Sequence, residues 1–178
     1  MLQRITVVGA GGAGKSAFSL RLGTALDLPV VDLDQAFAGA APAERAAIVG
    51  GLIQGERWIL DGDHLPTQPA RFAAADAVVF LDLPTAVCFW RLVRRALANR
   101  GARRARGTAQ HPLGGRWRTA AWVLRYRLRA RPLVLRNLAE HAAARRVAVA
   151  RSAAEAERLL AELTDPSGGS RPIAEERR

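Results

Sequence analysis

The sequence predicts an α/β fold with a mostly parallel sheet, and three observations support that prediction. Short apolar runs alternate with segments of helical character, which is the pattern of repeated strand-helix units. A glycine-rich loop separates the first strand from the first helix, and aspartates directly follow several strands. In open α/β sheets, ligands bind at the carboxyl ends of the strands. The length of 178 residues suits one domain of ordinary size.

The elements follow one another without an internal repeat. The predicted strands are Ile5–Val8, Pro29–Leu33, Arg57–Asp61, Ala77–Asp82 and Val147–Val149. The predicted helices are Ser16–Leu26, Pro42–Gln54, Ala86–Ala98, Arg116–Ala144 and Ala153–Leu163. The fourth helix is expected to break or kink at Pro132, because proline removes a helix hydrogen bond. Residues 1–163 are expected to form the domain, and residues 164–178, rich in Pro, Gly, Ser and charge, a disordered tail.

The loop after the first strand has the sequence Gly9-Ala10-Gly11-Gly12-Ala13-Gly14-Lys15-Ser16, which is a complete phosphate-binding loop. Its glycines allow positive φ angles and bring backbone N–H groups close to phosphate oxygens. Lys15 is the only lysine among 27 basic residues, so we expect a chemical reason for it, namely contact with β- and γ-phosphates. The Ser16 hydroxyl is placed to bind Mg²⁺. Nucleotide contacts are expected from Gly9, Gly11, Gly12, Ala13, Gly14, Lys15, Ser16 and Ala17.

Aspartates at the strand ends are candidates for the magnesium site. Asp61 is the first candidate for the outer partner of Mg²⁺, because an apolar strand ending in aspartate supplies that partner in such folds. Asp82 ends a similar run and competes for this role; the alternative is that it caps the helix that begins near Pro84. The residues leave the choice between Asp61 and Asp82 open.

Asp32 and Asp34 end the second predicted strand. Two residues apart on an extended chain, they point to the same side and face a metal ion or an acceptor together. Asp32 is therefore a further candidate metal ligand. Asp34 is the candidate for orienting an acceptor hydroxyl or taking its proton, the alternative being a solvated loop residue.

The segment from Leu83 to Ala139 contains no acidic residue, whereas 14 arginines lie between Arg91 and Arg136. Arg91 and Arg95 are four residues apart and share a helix face, where they are candidates for stabilising a transferring phosphoryl group. Residues 99–118 are expected to form an arginine-rich lid. The alternatives are a surface for nucleic acid, with Trp117, Trp122 and Tyr126 as stacking groups, and an ordinary solvated face. The net charge of +11 is consistent with the former.

Other features of the sequence bear on the cellular compartment, on disulfide formation and on metal binding. No apolar run reaches the length of a membrane span and no signal peptide is recognisable, so a cytosolic protein is expected. The single cysteine, Cys88, cannot form an intramolecular disulfide and is expected to be buried. The three histidines have no metal-ligand spacing. Nothing in the sequence fixes the oligomeric state.

Taken together, these motifs resemble the topology modulation protein group of adenylate-kinase-like P-loop proteins over roughly Arg4 to Leu163. The residues that carry the resemblance are the loop Gly9 to Ser16, Leu33-Asp34, Trp58-Ile59-Leu60-Asp61-Gly62, Leu81-Asp82-Leu83-Pro84, and Arg91 with Arg94-Arg95. The resemblance implies a three-layer P-loop kinase-like fold with a five-stranded parallel sheet in the order 2-3-1-4-5, ATP and Mg²⁺ binding, and an arginine-bearing lid. It does not imply a settled substrate. The sequence Asp61-Gly62-Asp63-His64 departs from the Asp-Gly-Phe-Pro-Arg of nucleoside monophosphate kinases and counts against AMP as the acceptor, while Asp32-x-Asp34 resembles shikimate-type kinases.

The sequence therefore predicts a Mg²⁺-dependent ATP phosphotransferase that acts on a small, unidentified acceptor. Lys15, Asp34, Arg91 and Arg95 are the expected catalytic residues, and Ser16, Asp61 and Asp32 the expected metal site. The alternative is a nucleotide-gated ATPase that acts on nucleic acid. A third possibility is a protein that binds nucleotide without turnover.

Overall fold

The computed structural model describes residues 2–106, 123 and 125–165. Five strands form one sheet: β1 (Arg4–Gly9), β2 (Val30–Asp32), β3 (Trp58–Asp61), β4 (Ala77–Leu81) and β5 (Arg146–Ala150). All strand pairs are parallel, and the order is β2-β3-β1-β4-β5. The predicted fold class and strand order are thereby confirmed.

Helices connect the strands. They are α1 (Lys15–Leu26), α2 (Leu33–Ala36), α3 (Glu44–Leu52), α4 (Gln68–Ala74), α5 (Thr85–Arg106), α6 (Arg131–His141) and α7 (Ala153–Thr164), and a 3₁₀ turn, Leu65–Thr67, precedes α4. The short helices α2 and α4 were not predicted. No helix in the described part of the chain is both long enough and apolar enough to cross a membrane.

The two faces of the sheet are covered by different helices. A Cβ at Gly23 of α1 would lie 3.7 Å from the Ile59 side chain, so Ile59 faces α1. Thr6 pairs in register with Leu60, the next residue along β3, and its hydroxyl accepts a hydrogen bond from Arg71 of α4. Because successive strand residues point to opposite faces, α1 and α4 lie on opposite sides of the sheet. The result is the predicted three-layer arrangement.

The second predicted strand was one residue too long at its end, the third predicted helix was too short because α5 continues to Arg106, and the break expected in the fourth predicted helix is present. β2 ends at Asp32 and not at Leu33, because the Asp32 carboxylate accepts the Asp34 backbone N–H and starts helix α2. The fourth predicted helix is interrupted before Pro132, as expected: residues 125–129 are helical, Ala130 is a turn and α6 follows.

Other predictions fall wholly or partly outside the described residues. The backbone of residues 99–106 belongs to α5, and the rest of the predicted lid, 107–118, lies outside. So do Trp117, Trp122 and residues 166–178 of the predicted tail; Thr164 still belongs to α7. Cys88 is fully buried, as predicted.

Asp76 connects the start of β1 to the start of β4. Its carboxylate accepts the backbone N–H groups of Gln3 and Arg4, both at 2.9 Å, and the Arg4 guanidinium at 3.0 Å. Burial alone would raise the pKa of Asp76, but these donors hold the pKa below its usual value. The ionised carboxylate therefore stabilises the folded chain.

We expect Asp76→Asn to lower the free energy of unfolding by about 1–2 kcal/mol at neutral pH. Since the pKa is lower in the folded chain, this contribution is complete above the unfolded value of about 4 and is lost as the pH falls through the folded value. Urea unfolding at pH 7 and at about pH 2.5 checks this: the difference between wild type and variant should shrink at the lower pH. An equal difference at both values would contradict the role of the charge.

Candidate active site

The glycine-rich loop runs from β1 into α1 at the carboxyl edge of the sheet. Gly12 and Gly14 have φ angles of 84° and 99°, values that favour glycine. Among the loop glycines, Gly11 does not adopt a positive φ angle. No side chain caps the N-terminus of α1, where Gly14 is the N-cap, so the N–H groups of its first turn have no side-chain acceptor. This terminus has the properties of an anion site.

Two cationic side chains lie on the backbone of this loop. The Lys15 ammonium donates hydrogen bonds to the carbonyls of Gly9 at 2.8 Å and Ala10 at 3.2 Å. Arg91, which comes from α5, donates to the Ala13 carbonyl at 3.1 Å. The structure thus brings together a lysine and an arginine that are 76 positions apart in the sequence, both at the proposed phosphate site.

Gly12 is in direct contact with α5. A Cβ at this position would overlap the Cys88 carbonyl oxygen and lie 3.1 Å from the Leu92 side chain. We expect Gly12→Ala to lower the free energy of unfolding by about 2–5 kcal/mol, since it combines backbone strain with a clash against a helix backbone. Chemical unfolding measures this. Gly50→Ala is the matched control, because Gly50 lies within α3 with open space around it, and there alanine should stabilise by about 0.5–1 kcal/mol. Equal effects of the two changes would contradict the packing argument.

Asp61, the last residue of β3, is a buried carboxylate beside the start of α1. Only 3% of the residue is exposed, and its Oδ1 has no hydrogen-bond partner. Burial raises the pKa of Asp61, while the Ser16 hydroxyl and the Lys15 ammonium oppose this rise. A buried carboxylate oxygen without a donor, next to a serine hydroxyl, fits a hydrated cation. Among the described residues, no group of three or more His, Cys, Asp or Glu forms a metal centre by itself.

Asp82, the competing candidate, has a different partner. Arg131, at the start of α6, donates to both carboxylate oxygens at 2.8–2.9 Å. The Asp82 side chain is 6% exposed and that of Arg131 is 28% exposed. With both oxygens bound by a guanidinium fork, Asp82 is less suited than Asp61 to hold a cation.

Asp63 and Arg71 form a polar cluster beneath the site. Arg71 of α4 is fully buried and donates to the Thr6 hydroxyl and to the carbonyls of Gly62 and His64 at 3.0–3.3 Å. Burial lowers the pKa of Arg71 to about 10, against the attraction of Asp63 and Asp61. The Asp63 carboxylate accepts hydrogen bonds from Gln68 at 3.1 Å and Tyr126 at 3.4 Å.

Burial raises the pKa of Asp63 to about 6, although Lys15 and Arg71 favour its ionised form. The Tyr126 ring that reaches it is 4% exposed, so this aromatic residue is part of the core. Arg71 fixes the β3–α4 loop, which carries Asp63 and His64, by two hydrogen bonds to loop carbonyls, and a third hydrogen bond connects Arg71 to Thr6 of β1.

Asp32 and Asp34 do not share one face of an extended strand, contrary to the sequence-based expectation. Asp32 ends β2, and its oxygens accept the Asp34 N–H at 2.8 Å and the Gln35 amide at 3.4 Å, whereas Asp34 is exposed within α2. Both carboxylates nevertheless lie close enough to Asp61 to raise its pKa. The end of β2 and the start of α2 thus bring Asp32 and Asp34 to the same edge as Lys15 and Ser16.

A cleft of about 490 Å³ opens beside the loop, between α1, α5 and α7. Three arginines of α5 line it: Arg91, Arg94 and Arg95. Ala153 and Ala156 form part of the opposite wall, where Arg21 of α1 and Glu157 of α7 form a two-pronged ion pair at 2.6 and 2.7 Å. Gly14 and Ala17 also line the cleft. Its position and size suit the remainder of a nucleotide whose phosphates lie on the loop.

The sequence reasoning missed Arg71 and the role of Arg131. In a chain with this many arginines, no local pattern distinguishes a buried guanidinium from a solvated one. The signal for Arg71 was weak: it lies on a short helix in the predicted connection between the third and fourth strands. Arg131 pairs with a residue 49 positions away, which spacing does not reveal.

The sheet order, the loop and the covering helices define a P-loop kinase-like fold, and comparison with solved structures agrees. Shikimate kinase from Acinetobacter baumannii in complex with shikimate superimposes with a TM-score of 0.58 at 16% identity, covering 92% of this chain and 91% of that one. The deoxyadenosine kinase from M. mycoides with bound dATP gives 0.53 at 14% identity (91% and 100%). A gluconokinase from Sinorhizobium meliloti 1021 gives 0.51 at 17% (91% and 93%). No family model and no curated protein matches the sequence. At these identities the similarity establishes the fold.

Proposed function

We propose that the chain is a Mg²⁺-dependent ATP phosphotransferase acting on a small acceptor. The observation that carries the proposal is the geometry around Lys15. Its ammonium lies on the phosphate-binding loop, beside the exposed Ser16 and the buried Asp61 with its unpartnered oxygen. The solved structures of similar fold are small-molecule kinases, which supports the same class.

Lys15 binds the β- and γ-phosphates and stabilises the charge that develops between them. Arg91 is anchored on the loop by its bond to Ala13 and supplies a second positive group from α5. Arg95 is exposed and lines the cleft. Its guanidinium is assigned to the stabilisation of the transferring phosphoryl group. Gly9, Gly11, Gly12, Ala13, Gly14 and Ala17 complete the nucleotide site.

Ser16, Asp61 and Asp32 would hold the metal ion. A bound Mg²⁺ supplies neutralisation of the phosphate charge. The raised pKa of Asp61 and its unpartnered oxygen support this assignment, because a buried carboxylate is otherwise costly without a donor or cation.

Asp34 orients the acceptor hydroxyl. In the transfer, the hydroxyl oxygen forms a bond to the γ-phosphorus as the bond from that phosphorus to the β,γ-bridging oxygen breaks. ADP leaves with the electron pair, and the hydroxyl proton passes to Asp34 and then to water.

We further propose that residues 1–163 form the domain and that residues 99–118 act as a lid. We also propose that the chain is cytosolic and that it belongs to the topology modulation protein group.

Measuring ADP release with Mg-ATP tests the proposal. The purified protein is assayed alone, with nucleosides, nucleoside monophosphates and hydroxylated acids, and with single-stranded DNA or RNA. We expect one class of small acceptor to accelerate the release and to yield a phosphorylated product. Acceleration by nucleic acid alone would replace the proposal with a nucleic-acid-coupled ATPase.

A further inference from the structure

Asp63 is a carboxylate that is hydrogen-bonded on one oxygen and open on the other. Its Oδ1 accepts hydrogen bonds from the Gln68 amide at 3.1 Å and from the Tyr126 hydroxyl at 3.4 Å. Its Oδ2 is buried, and within the part of the chain that the structure describes no donor reaches it. An ionised carboxylate has about four acceptor positions, and burial without donors is costly. The ionised form of Asp63 is therefore favourable only because positive charge lies nearby.

Residues from other elements fix the Asp63 carboxylate. Gln68, the first residue of α4, is fully buried, and its amide oxygen accepts a hydrogen bond from Asn137 of α6 at 3.0 Å. Burial, together with the Asp63 charge, raises the pKa of Tyr126, so its hydroxyl keeps the proton and remains a donor. The hydrogen bonds from Asn137 to Gln68 and from Gln68 to Asp63 connect α6 to the residues that follow β3. The carboxylate therefore has little freedom to turn towards solvent.

The phosphate-binding loop begins beside Asp63. The backbone N–H of Gly62 donates to the Val7 carbonyl at 3.1 Å, which extends the pairing of β1 with β3 to the residue before Asp63. Asp63 consequently lies next to Gly9, the first loop residue, whose backbone N–H favours the ionised form and so lowers the pKa of Asp63. The Lys15 side chain returns to the same point, since its ammonium donates to the Gly9 carbonyl at 2.8 Å.

Two cations lie near Asp63, and they are held differently. The buried Arg71 is fixed by three hydrogen bonds. The Lys15 ammonium donates to two loop carbonyls, and an ammonium has three donors on a flexible stem. Burial raises the pKa of Asp63 to about 6, and the charge of Lys15 opposes this rise more than that of Arg71. Of the two cations, Lys15 is thus the one whose position a nearby carboxylate can change.

We infer that Asp63 is a positioning residue for Lys15: its negative charge, held in place by Gln68, orients the ammonium on the phosphate-binding loop. A fixed charge in a buried setting acts strongly on a neighbouring ion. In this role Asp63 acts only through Lys15. The inference rests on the proposed function for the part that Lys15 plays in phosphoryl transfer, and it deepens that function by naming the residue that orients Lys15.

The first experiment observes Lys15 directly and needs no turnover. Because Lys15 is the only lysine, protein labelled with ¹³C-lysine gives one set of side-chain signals. The Cε signal next to the ammonium is followed by NMR at pH 8, where the Asp63 carboxylate, with a pKa of about 6, is ionised. Asp63→Asn keeps an acceptor oxygen for Gln68 but removes the charge, and it should shift this signal and narrow it towards that of free lysine. An unchanged signal would overturn the inference.

Asp76→Asn is the matched control. Asp76 lies at the opposite end of the strands, where it bonds to Gln3 and Arg4, so this change removes a partly buried carboxylate without touching the loop. The Lys15 signal of Asp76→Asn should coincide with that of the wild type. A shift equal to that of Asp63→Asn would mean that a general loss of stability moves Lys15, which would refute the specific role of Asp63.

Gln68→Met tests how the carboxylate is held. It leaves the Asp63 charge in place but removes the amide that joins Asp63 to Asn137. We expect a smaller shift of the Lys15 signal in the same direction, and no further shift when Gln68→Met is combined with Asp63→Asn. A full additional shift in the double variant would refute the part of the inference that concerns Gln68.

The second experiment separates this inference from the proposed function. ADP release is measured with Mg-ATP alone and with shikimate, gluconate or deoxyadenosine, and Mg-ATP affinity is measured by calorimetry. In Asp63→Asn, kcat should fall about 10- to 100-fold because the ammonium is misplaced, whereas the affinity for Mg-ATP should stay within about threefold of wild type. Equal losses of kcat and of Mg-ATP affinity would indicate a structural role and overturn the inference. Absence of Mg-ATP binding in wild type would refute the kinase, while the Lys15 signal still decides whether Asp63 positions the ammonium.

Discussion

Replacing Lys15 by alanine is expected to reduce acceptor-stimulated ADP release about 10²- to 10³-fold or more. The ammonium is the only lysine charge in the chain and lies on the loop carbonyls of Gly9 and Ala10, where phosphate oxygens would be bound. Losing one preorganised donor at a site of developing charge has effects of this size. Initial rates at saturating Mg-ATP measure the effect.

Lys15→Arg is the informative companion. A guanidinium keeps the charge but is larger and planar, so we expect it to restore little of the rate. The exposed Arg136, whose guanidinium pairs with Glu140 on α6, offers a surface control in Arg136→Ala, which should retain full activity. Thermal unfolding should remain close to wild type in all three variants. Full turnover by Lys15→Ala would refute the assignment of the loop.

The features that local sequence carries were predictable. Apolar runs located all five strands to within one or two residues. The central strands β1, β3 and β4 are almost wholly buried, and a strand buried on both faces excludes most polar side chains. The loop was readable because its glycines and Lys15 occur at fixed spacing. The sheet order followed from a resemblance to known proteins and not from the residues themselves.

Two kinds of feature could not be predicted from the sequence. One is the choice between two competing local structures, and the other is contacts between distant elements of the fold. The sequence Asp32-Leu33-Asp34 is compatible with a strand end and with a helix start, and the hydrogen bond from the Asp34 N–H to Asp32 decides for the helix. Arg71 is fully buried only because the Thr6 hydroxyl and the carbonyls of two loop residues converge on it from other elements. Such convergence depends on tertiary structure, to which an arginine-rich sequence gives no local clue.

Breaking the ion pair between Asp82 and Arg131 is expected to have the largest effect on stability. Arg131→Met leaves a carboxylate buried at the end of β4 with no guanidinium, and we expect the free energy of unfolding to fall by about 3–5 kcal/mol. Asp82→Asn, which keeps a polar group but loses the charge, should cost somewhat less. Replacing both by Asp82→Leu with Arg131→Met should recover part of the loss, because no buried charge then remains unpaired. Urea unfolding of the single and double variants gives the coupling energy.

A second ion pair, also involving α6, tests whether burial explains the large loss of stability expected for the Asp82 and Arg131 variants. Arg136 and Glu140 of α6 form an exposed pair four residues apart, and removing either should leave the free energy of unfolding close to that of the wild type. The Arg131 and Asp82 variants also distinguish the two candidates for the outer partner of Mg²⁺, Asp61 and Asp82. If Asp82 is structural, the Arg131→Met protein that remains folded should keep the Mg²⁺ dependence of ADP release, whereas Asp61→Asn should need far more Mg²⁺. A shifted Mg²⁺ requirement in Asp82→Asn, without loss of stability, would transfer the metal role from Asp61 to Asp82.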